Sequence, residues 1–326
     1  MRPALLLLTS SRSGSSALTG VMSMLGASLP KALLGAGPGN VRGHFEPARL
    51  IAINDEVLAA HGATYLDPIM IPDAWFEGSE AKAFVQRIAA TIAEEYGDAD
   101  LPIIKDPRIC RVAPLYLKAL DQLGYTPLAV IPLRHPGEVT ASLSHRDGTA
   151  GETAELLNLC ELLGGELYSR GLRRIWTRYD ELLLDWRSTM SRMAAKLGFE
   201  WPVPMDSAAA SIEAFLSPSL RHFDAPAAHE VGRLATRLWD ASLAGMAGDE
   251  NGARAGFDAV REISGELNRL SSPWQSALLL KAARTHEDLV AQKRVIKHMR
   301  ATASWKVTAP FRMLGRLLGM RPIGGR

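Results

Sequence analysis

The chain has 326 residues, 47% apolar and 22% charged, the proportions of a soluble globular protein rather than a disordered, collagenous or polytopic membrane one. Its 37 basic and 35 acidic side chains leave a net charge of only +2, so no protein-wide field recruits nucleic acid and any anion must be met locally. The two cysteines, Cys110 and Cys160, are too few for a zinc constellation or a disulfide framework and read as core thiols.

The first apolar run, Ala4 to Leu8, is shorter than the apolar part of a secretory signal and soon meets Arg12, so it reads as a buried strand. No later run reaches the roughly 18 apolar residues that span a bilayer, which sets the expectation of a cytoplasmic protein. The strand passes into Thr9-Ser-Ser-Arg-Ser-Gly-Ser-Ser16 and then an amphipathic stretch through Leu25. Strand, tight loop and helix in this order open nucleotide-binding α/β folds.

Helical spacing recurs over Arg49–His61, Ala81–Tyr96, Val112–Leu123 and Pro136–Ser144. Short apolar runs, Leu101–Ile104 and Leu128–Leu133, end in the charged clusters KDPR and RHP, as strands do when their carboxyl ends open into a crevice. A last strand is expected over Arg174–Tyr179, followed by Asp180 as N-cap of one long helix to Leu197 that Gly198 stops. The alternation predicts an α/β protein, a P-loop NTPase-like parallel sheet flanked by helices, occupying residues 1–225. From about Ala227 the composition turns Ala-, Leu- and Arg-rich at helical spacing, predicting a C-terminal helical appendage over 226–303. The tail, 304–326, interleaves Trp305, Phe311 and leucines with Lys306, Arg312 and Arg316, and no acid follows Asp288. It either packs on its own domain or contacts a membrane surface or partner.

The chemistry concentrates in two loops. In the first, small residues let backbone amides converge on an anion where a helix N-terminus adds partial positive charge. Gly14 permits close approach, Ser13, Ser15 and Ser16 carry hydroxyls, and Arg12 supplies a planar, permanent cation suited to phosphate or sulfonate. A Walker A loop would place Lys after the last glycine, whereas Ser15 stands there, which disfavours an ordinary ATPase and points to metal-free group transfer. In the second, the strand ending at Leu133 delivers Arg134, and Ser142 follows about two helical turns later. Alone, that pair reads better as an ion pair or helix cap than as a ligand site; with the first loop it reads as a second phosphate site.

Together SSRSGSS and LRHPGEVTASL resemble the donor-binding motifs of sulfotransferases that use 3'-phosphoadenosine 5'-phosphosulfate. GNVRGHFEPARLIAINDEVL, IIKDPRICRVAPLYLKAL and TRYDELLLDWRSTMSRMAAKLGF are similar, in the same order, to stretches of the bacterial, carbohydrate-type branch. The resemblance covers residues 1 to about 225. It implies that Arg12, Ser13, Gly14, Ser15 and Ser16 hold the 5'-phosphosulfate, that Arg134 and Ser142 hold the 3'-phosphate, and that the reaction needs no metal. Arg12 departs from the cytosolic members of the family, which carry Lys there, and Arg is a poor proton donor. The resemblance also places Tyr179 against adenine and Arg221 near the 3'-phosphate.

Sulfonyl transfer needs a base at the acceptor hydroxyl, and GHFEP offers His44 and Glu46. Glu46 either caps the helix that begins near Pro47 or, as the resemblance implies, takes the proton, with His44 as second choice; in an extended segment both would point the same way. Lys105, Asp106 and Arg108 either reach the crevice, Lys105 toward the sulfonate, or form an ion pair that fixes the turn. The ending SWKVTAPFRMLGRLLG is similar to tails of bacterial cell-surface glycosyltransferases, so the implied acceptor is a hydroxyl of a polysaccharide or glycolipid, and the tail's basic amphipathic pattern raises a lipid-linked acceptor at a membrane surface as one form of it. An ATP-dependent small-molecule kinase and a non-catalytic nucleotide- or sugar-binding module are the alternatives.

Overall fold

The computed structural model describes residues 2–35, 43–216 and 230–266, with the isolated position 292. Four parallel strands form the sheet: β1 (Arg2–Leu7), β2 (Ile103–Lys105), β3 (Tyr125–Leu133) and β4 (Arg174–Arg178), in the order β2-β1-β3-β4. Register is set by pairs such as Leu5↔Ile103, Leu5↔Leu128 and Val130↔Ile175. Around it lie α1 (Ser15–Met24), α2 (Ala48–Ala60), a 3-10 turn (Asp73–Glu77), α3 (Ser79–Tyr96), α4 (Ile109–Gln122), α5 (Pro136–Asp147), α6 (Gly151–Ser169), α7 (Tyr179–Leu184), α8 (Trp186–Leu197), α9 (Met205–Phe215) and α10 (Glu230–Met246). A further helix, α11, covers 250–266.

The continuous leucine run of β1 follows from its place in the middle of the sheet. Side chains alternate across a strand, and both faces here are covered. Ala4, Leu6 and Leu8 enter one core with α2, α3, α4, α6 and α10, while Leu5 and Leu7 enter a second with α1, α8 and α9. Each buried leucine contributes about 1.5–3 kcal/mol. Shortening Leu6 to Ala would cost about 2–5 kcal/mol, because it has helices packed over it and nowhere to collapse.

Three expectations are corrected. The long helix after β4 is two helices, broken at Asp185 (φ −149°, ψ 83°), whose Oδ1 accepts from Ser188 N at 2.9 Å and caps α8. Tyr179 is therefore the first residue of α7 rather than the end of β4, and Asp180 sits inside that helix, bonded to Arg178. The expected stop at Gly198 is present, left-handed at φ 70°, with its N–H on Ala194 O at 2.8 Å. Second, α6 fills the stretch left without an element between Ser144 and Arg174. Its Gly164 and Gly165 look unhelical in sequence, yet they let the helix lie directly on its neighbours: a Cβ at Gly164 would meet the Cys110 carbonyl carbon at 2.9 Å, and one at Gly165 the Leu8 carbonyl oxygen at 3.3 Å.

Third, the sheet-bearing unit does not stop near 225. It runs to Arg261, and Leu238, Ala241, Phe257 and Val260 of α10 and α11 join the core of the first sheet face. Of the second unit, which begins at Glu262, the described part consists of 262–266 and position 292. Arg221 and the tail, 304–326, lie outside the described residues.

Candidate active site

The carboxyl ends of β1, β2 and β3 converge on the two loops singled out above. Beyond β1 the chain turns sharply: Ser13 Oγ meets Thr9 Oγ1 at 2.6 Å and Ser10 O at 2.7 Å, and Ser13 N donates to Ser10 O at 3.4 Å. The Ser13 hydroxyl and amide thus both bond within the loop. Arg12 (φ 64°) and Gly14 (φ 86°) take left-handed conformations on either side of it. For Gly14 the space also demands glycine, since an added Cβ would lie 2.9 Å from Tyr179 Cβ and 2.5 Å from its Cγ. Gly14 is the N-cap of α1 and has no side chain to offer, so side-chain capping does not satisfy the amides of the first turn, Ser15 and Ser16.

The second loop joins the first directly. Arg12 Nε donates to Ser142 Oγ at 2.8 Å, and Arg134 Nη1 donates to Arg12 O at 3.3 Å. Arg134 also pairs through Nε with Glu138 Oε2 at 2.7 Å and stacks its guanidinium 5.2 Å from the Tyr179 ring centroid. Its Nη2 is buried and has no hydrogen-bond partner among the described residues. Because α5 begins at Pro136, with His135 accepting from Gly137 N at 3.2 Å, Ser142 comes round to face the first loop. Arg12, Gly14, Arg134, Ser142 and Tyr179, spread over the chain, form one cradle.

Beside it lies a buried ion pair. Lys105, at the carboxyl end of β2, reaches Glu46 Oε1 at 2.5 Å, His44 O at 2.9 Å and Ser16 Oγ at 3.3 Å, and both charged side chains are almost wholly buried. Burial pushes the Glu46 carboxyl above the ordinary carboxylate range, and the attraction of Lys105 only partly offsets this. Burial also lowers His44, helped by the cations Lys105, Arg146 and Arg12, so its imidazole is neutral, and a weaker base than usual, at neutral pH. The capping role of Glu46 is overturned: the N-cap of α2 is Pro47, and no side chain caps that helix. The extended alternation across GHFEP is overturned too, because Phe45 is left-handed at φ 55°. His44 and Glu46 nonetheless both lie at Lys105.

The KDPR cluster divides. Lys105 faces the cradle, whereas Asp106 accepts from Asn54 Nδ2 at 2.7 Å and Arg108 Nη1 at 2.8 Å, and Arg108 Nε reaches Asp55 at 2.6 Å. These contacts tie the β2–α4 turn to α2.

Four residues at the site had no assigned role. The Ser11 amide and hydroxyl donate to Glu161 at 2.7 and 2.9 Å, and the same hydroxyl meets Tyr65 OH at 2.8 Å. Arg146 Nη2 reaches Tyr65 OH at 3.4 Å. Glu161 is fully buried in α6, and burial, against the pull of Arg111 and the Ser11 bonds, raises its carboxyl to about 7. A signal exists in the sequence: Glu155, Asn158 and Glu161 sit at helical spacing among leucines, which marks polar groups on a buried face.

No family model matches the chain, and no curated protein of similar sequence is found. Among solved structures, the chain is similar to the sulfotransferase domain of the Synechococcus PCC 7002 olefin synthase, with 17% identity, 73% of this chain and 94% of that one covered, and a TM-score of 0.41. It is also similar to the sulfotransferase domain from the curacin biosynthetic pathway, with 14% identity, 73% and 98% covered, and a TM-score of 0.42.

Proposed function

We propose that this protein is a sulfotransferase that takes the sulfonyl group of 3'-phosphoadenosine 5'-phosphosulfate and passes it to an acceptor hydroxyl. The observation that carries the reading is the joining of the two loops: Arg12 bonds Ser142, and Arg134 bonds the Arg12 backbone while keeping a buried N–H group without a partner among the described residues. A buried guanidinium nitrogen without an acceptor is costly unless a ligand oxygen meets it, and phosphate is the acceptor its planar fork suits. The cradle fits a ligand with two anionic ends.

When bound, the donor supplies an electrophilic sulfur on a phosphate leaving group; its S–O bond breaks as the acceptor oxygen bonds sulfur. Arg12 and the first-turn amides of α1 stabilise the charge that develops at the leaving phosphate. Arg134 and Ser142 select the 3'-phosphate, and Tyr179 lines the nucleoside between them. Glu46, made more basic by burial, takes the acceptor proton; Lys105 holds it in place and offers positive charge to the sulfonate. The proposed acceptor is a sugar hydroxyl of a polysaccharide or glycolipid, from the motif resemblance. Among the described residues no helix is long and apolar enough to cross a membrane; contact of the tail with the inner membrane surface belongs to the same proposal.

Titration calorimetry with adenosine 3',5'-bisphosphate, adenosine 5'-monophosphate and magnesium ATP tests the reading. Wild type should prefer the bisphosphate strongly, and Arg134→Ala should lose about ten- to hundredfold of that affinity together with the preference, as expected for a charged hydrogen bond of about 1.5–3 kcal/mol. Equal binding of all three nucleotides by wild type would refute it.

A further inference from the structure

We propose that Glu161 is a positioning residue: from inside α6 it holds Ser11 so that the next residue, Arg12, keeps the left-handed backbone that aims its guanidinium at Ser142. The inference rests on the function proposed above.

Arg12 is not glycine, yet its φ is 64°. A residue with a Cβ stays there only when its surroundings over-determine it. Three ties do so. Behind Arg12, both donors of Ser11 end on one carboxylate, the amide on Glu161 Oε2 and the hydroxyl on Oε1. At Arg12 itself, the carbonyl accepts from Arg134 and the side chain bonds Ser142. Of these three, the first comes from outside the residues that face the ligand.

The placement of Glu161 has its own support. One turn further along α6, Gly164 and Gly165 bring the helix against Cys110 and the end of β1, which sets the carboxylate beneath the loop. Arg111, fully buried, donates to Tyr65 O at 2.9 Å and Asp67 O at 2.7 Å, anchoring the segment whose Tyr65 hydroxyl also grips Ser11. A carboxylate under an anion-binding loop opposes the ligand electrostatically, so its charge is no help to binding and its geometry is what the loop uses.

Two variants separate geometry from bulk: Glu161→Leu removes the acceptors, and Glu161→Gln keeps one for the Ser11 amide. The first readout needs no nucleotide. Solvent exchange of the Arg12 Nε–H, followed by NMR and assigned by its loss in Arg12→Ala, should be slow in wild type and Glu161→Gln and at least tenfold faster in Glu161→Leu. The second is affinity for adenosine 3',5'-bisphosphate: Glu161→Leu should lose about tenfold, Glu161→Gln should recover most of it, and in an Arg12→Ala background Glu161→Leu should lose nothing further. Unchanged exchange, or losses that multiply in the double variant, would overturn the proposal. If wild type fails to bind the bisphosphate, the proposed function falls and the exchange experiment alone decides the role of Glu161. If Glu161→Leu does not fold, Ser11→Ala, which deletes one of the two bonds, carries both readouts with the same expectations at a smaller amplitude.

Discussion

Replacing Gly14 by Ala strikes the cradle at the point where backbone and side chain constrain it together. The left-handed conformation at φ 86° costs an alanine about 1–2 kcal/mol. The new methyl would also lie 2.5 Å from Tyr179 Cγ and 2.9 Å from its Cβ. These atoms lie at the root of the side chain, so rotating the ring does not relieve the clash and α7 must shift, an overpacking cost of about 1–3 kcal/mol. The sum, about 2–5 kcal/mol, corresponds to a fall in Tm of roughly 4–20 °C for a domain of this size. Calorimetry should show it, with a loss of bisphosphate affinity as Tyr179 leaves Arg134. In a Tyr179→Ala background the penalty should shrink toward the backbone cost of about 1–2 kcal/mol without reaching it, because the Cβ at 179 still lies 2.9 Å from the new methyl. A Gly14→Ala protein as stable as wild type, or one that Tyr179→Ala does not relieve, would refute the reasoning.

Glu46→Gln keeps an acceptor for Lys105 but removes the base, so turnover should fall at least about a hundredfold while bisphosphate affinity stays within about threefold. If His44→Asn gives that loss and Glu46→Gln does not, the base is His44. The folded-state value of Glu161, about 7, exceeds its ordinary 4.5, so the folded protein retains a proton that the unfolded chain releases; this contribution is full below about 4.5 and is lost as pH rises through 7. At 1.36 kcal/mol per unit, the stability difference between wild type and Glu161→Gln should therefore move by about 3 kcal/mol against wild type between pH 4.5 and 8 in urea unfolding. A difference that does not change with pH would contradict the burial of an ionisable group there. Asp185→Ala deletes the bond to Ser188 N and should cost about 1 kcal/mol, measured in the same way.

How far the sequence reaches depends on whether a residue's partner is local. β1, its loop and α1 are legible because a continuous apolar run, a Ser/Gly turn and an amphipathic stretch obey short-range rules. The start of α5 at Pro136 and the stop of α8 at Gly198 are legible for the same reason. Arg12, Arg134 and Ser142 are expected to share a site once the two loops are read together, and the structure brings them together. Glu161 could not be given a role, because its meaning comes from a hydrogen bond across 150 positions to Ser11, and the glycines that admit the contact weaken the helical signal around it. Glu46 has a cap among its readings in sequence, and the claim of Lys105 on it comes from a strand 59 positions away. The break at Asp185 is a contest between one helix and two that a long amphipathic pattern does not decide.

The hydrogen bond between Arg12 and Ser142 also bears on discrimination. An incoming oxyanion at that spot must displace an internal contact, so a small ion such as inorganic phosphate gains only the difference between two comparable bonds. The proposed donor, charged at both extremities, would replace the contact and at the same time meet the Arg134 nitrogen that has no partner among the described residues. On the proposed function, the resting protein would therefore discriminate against abundant simple anions and respond to span, a property that no single loop of the pair would have.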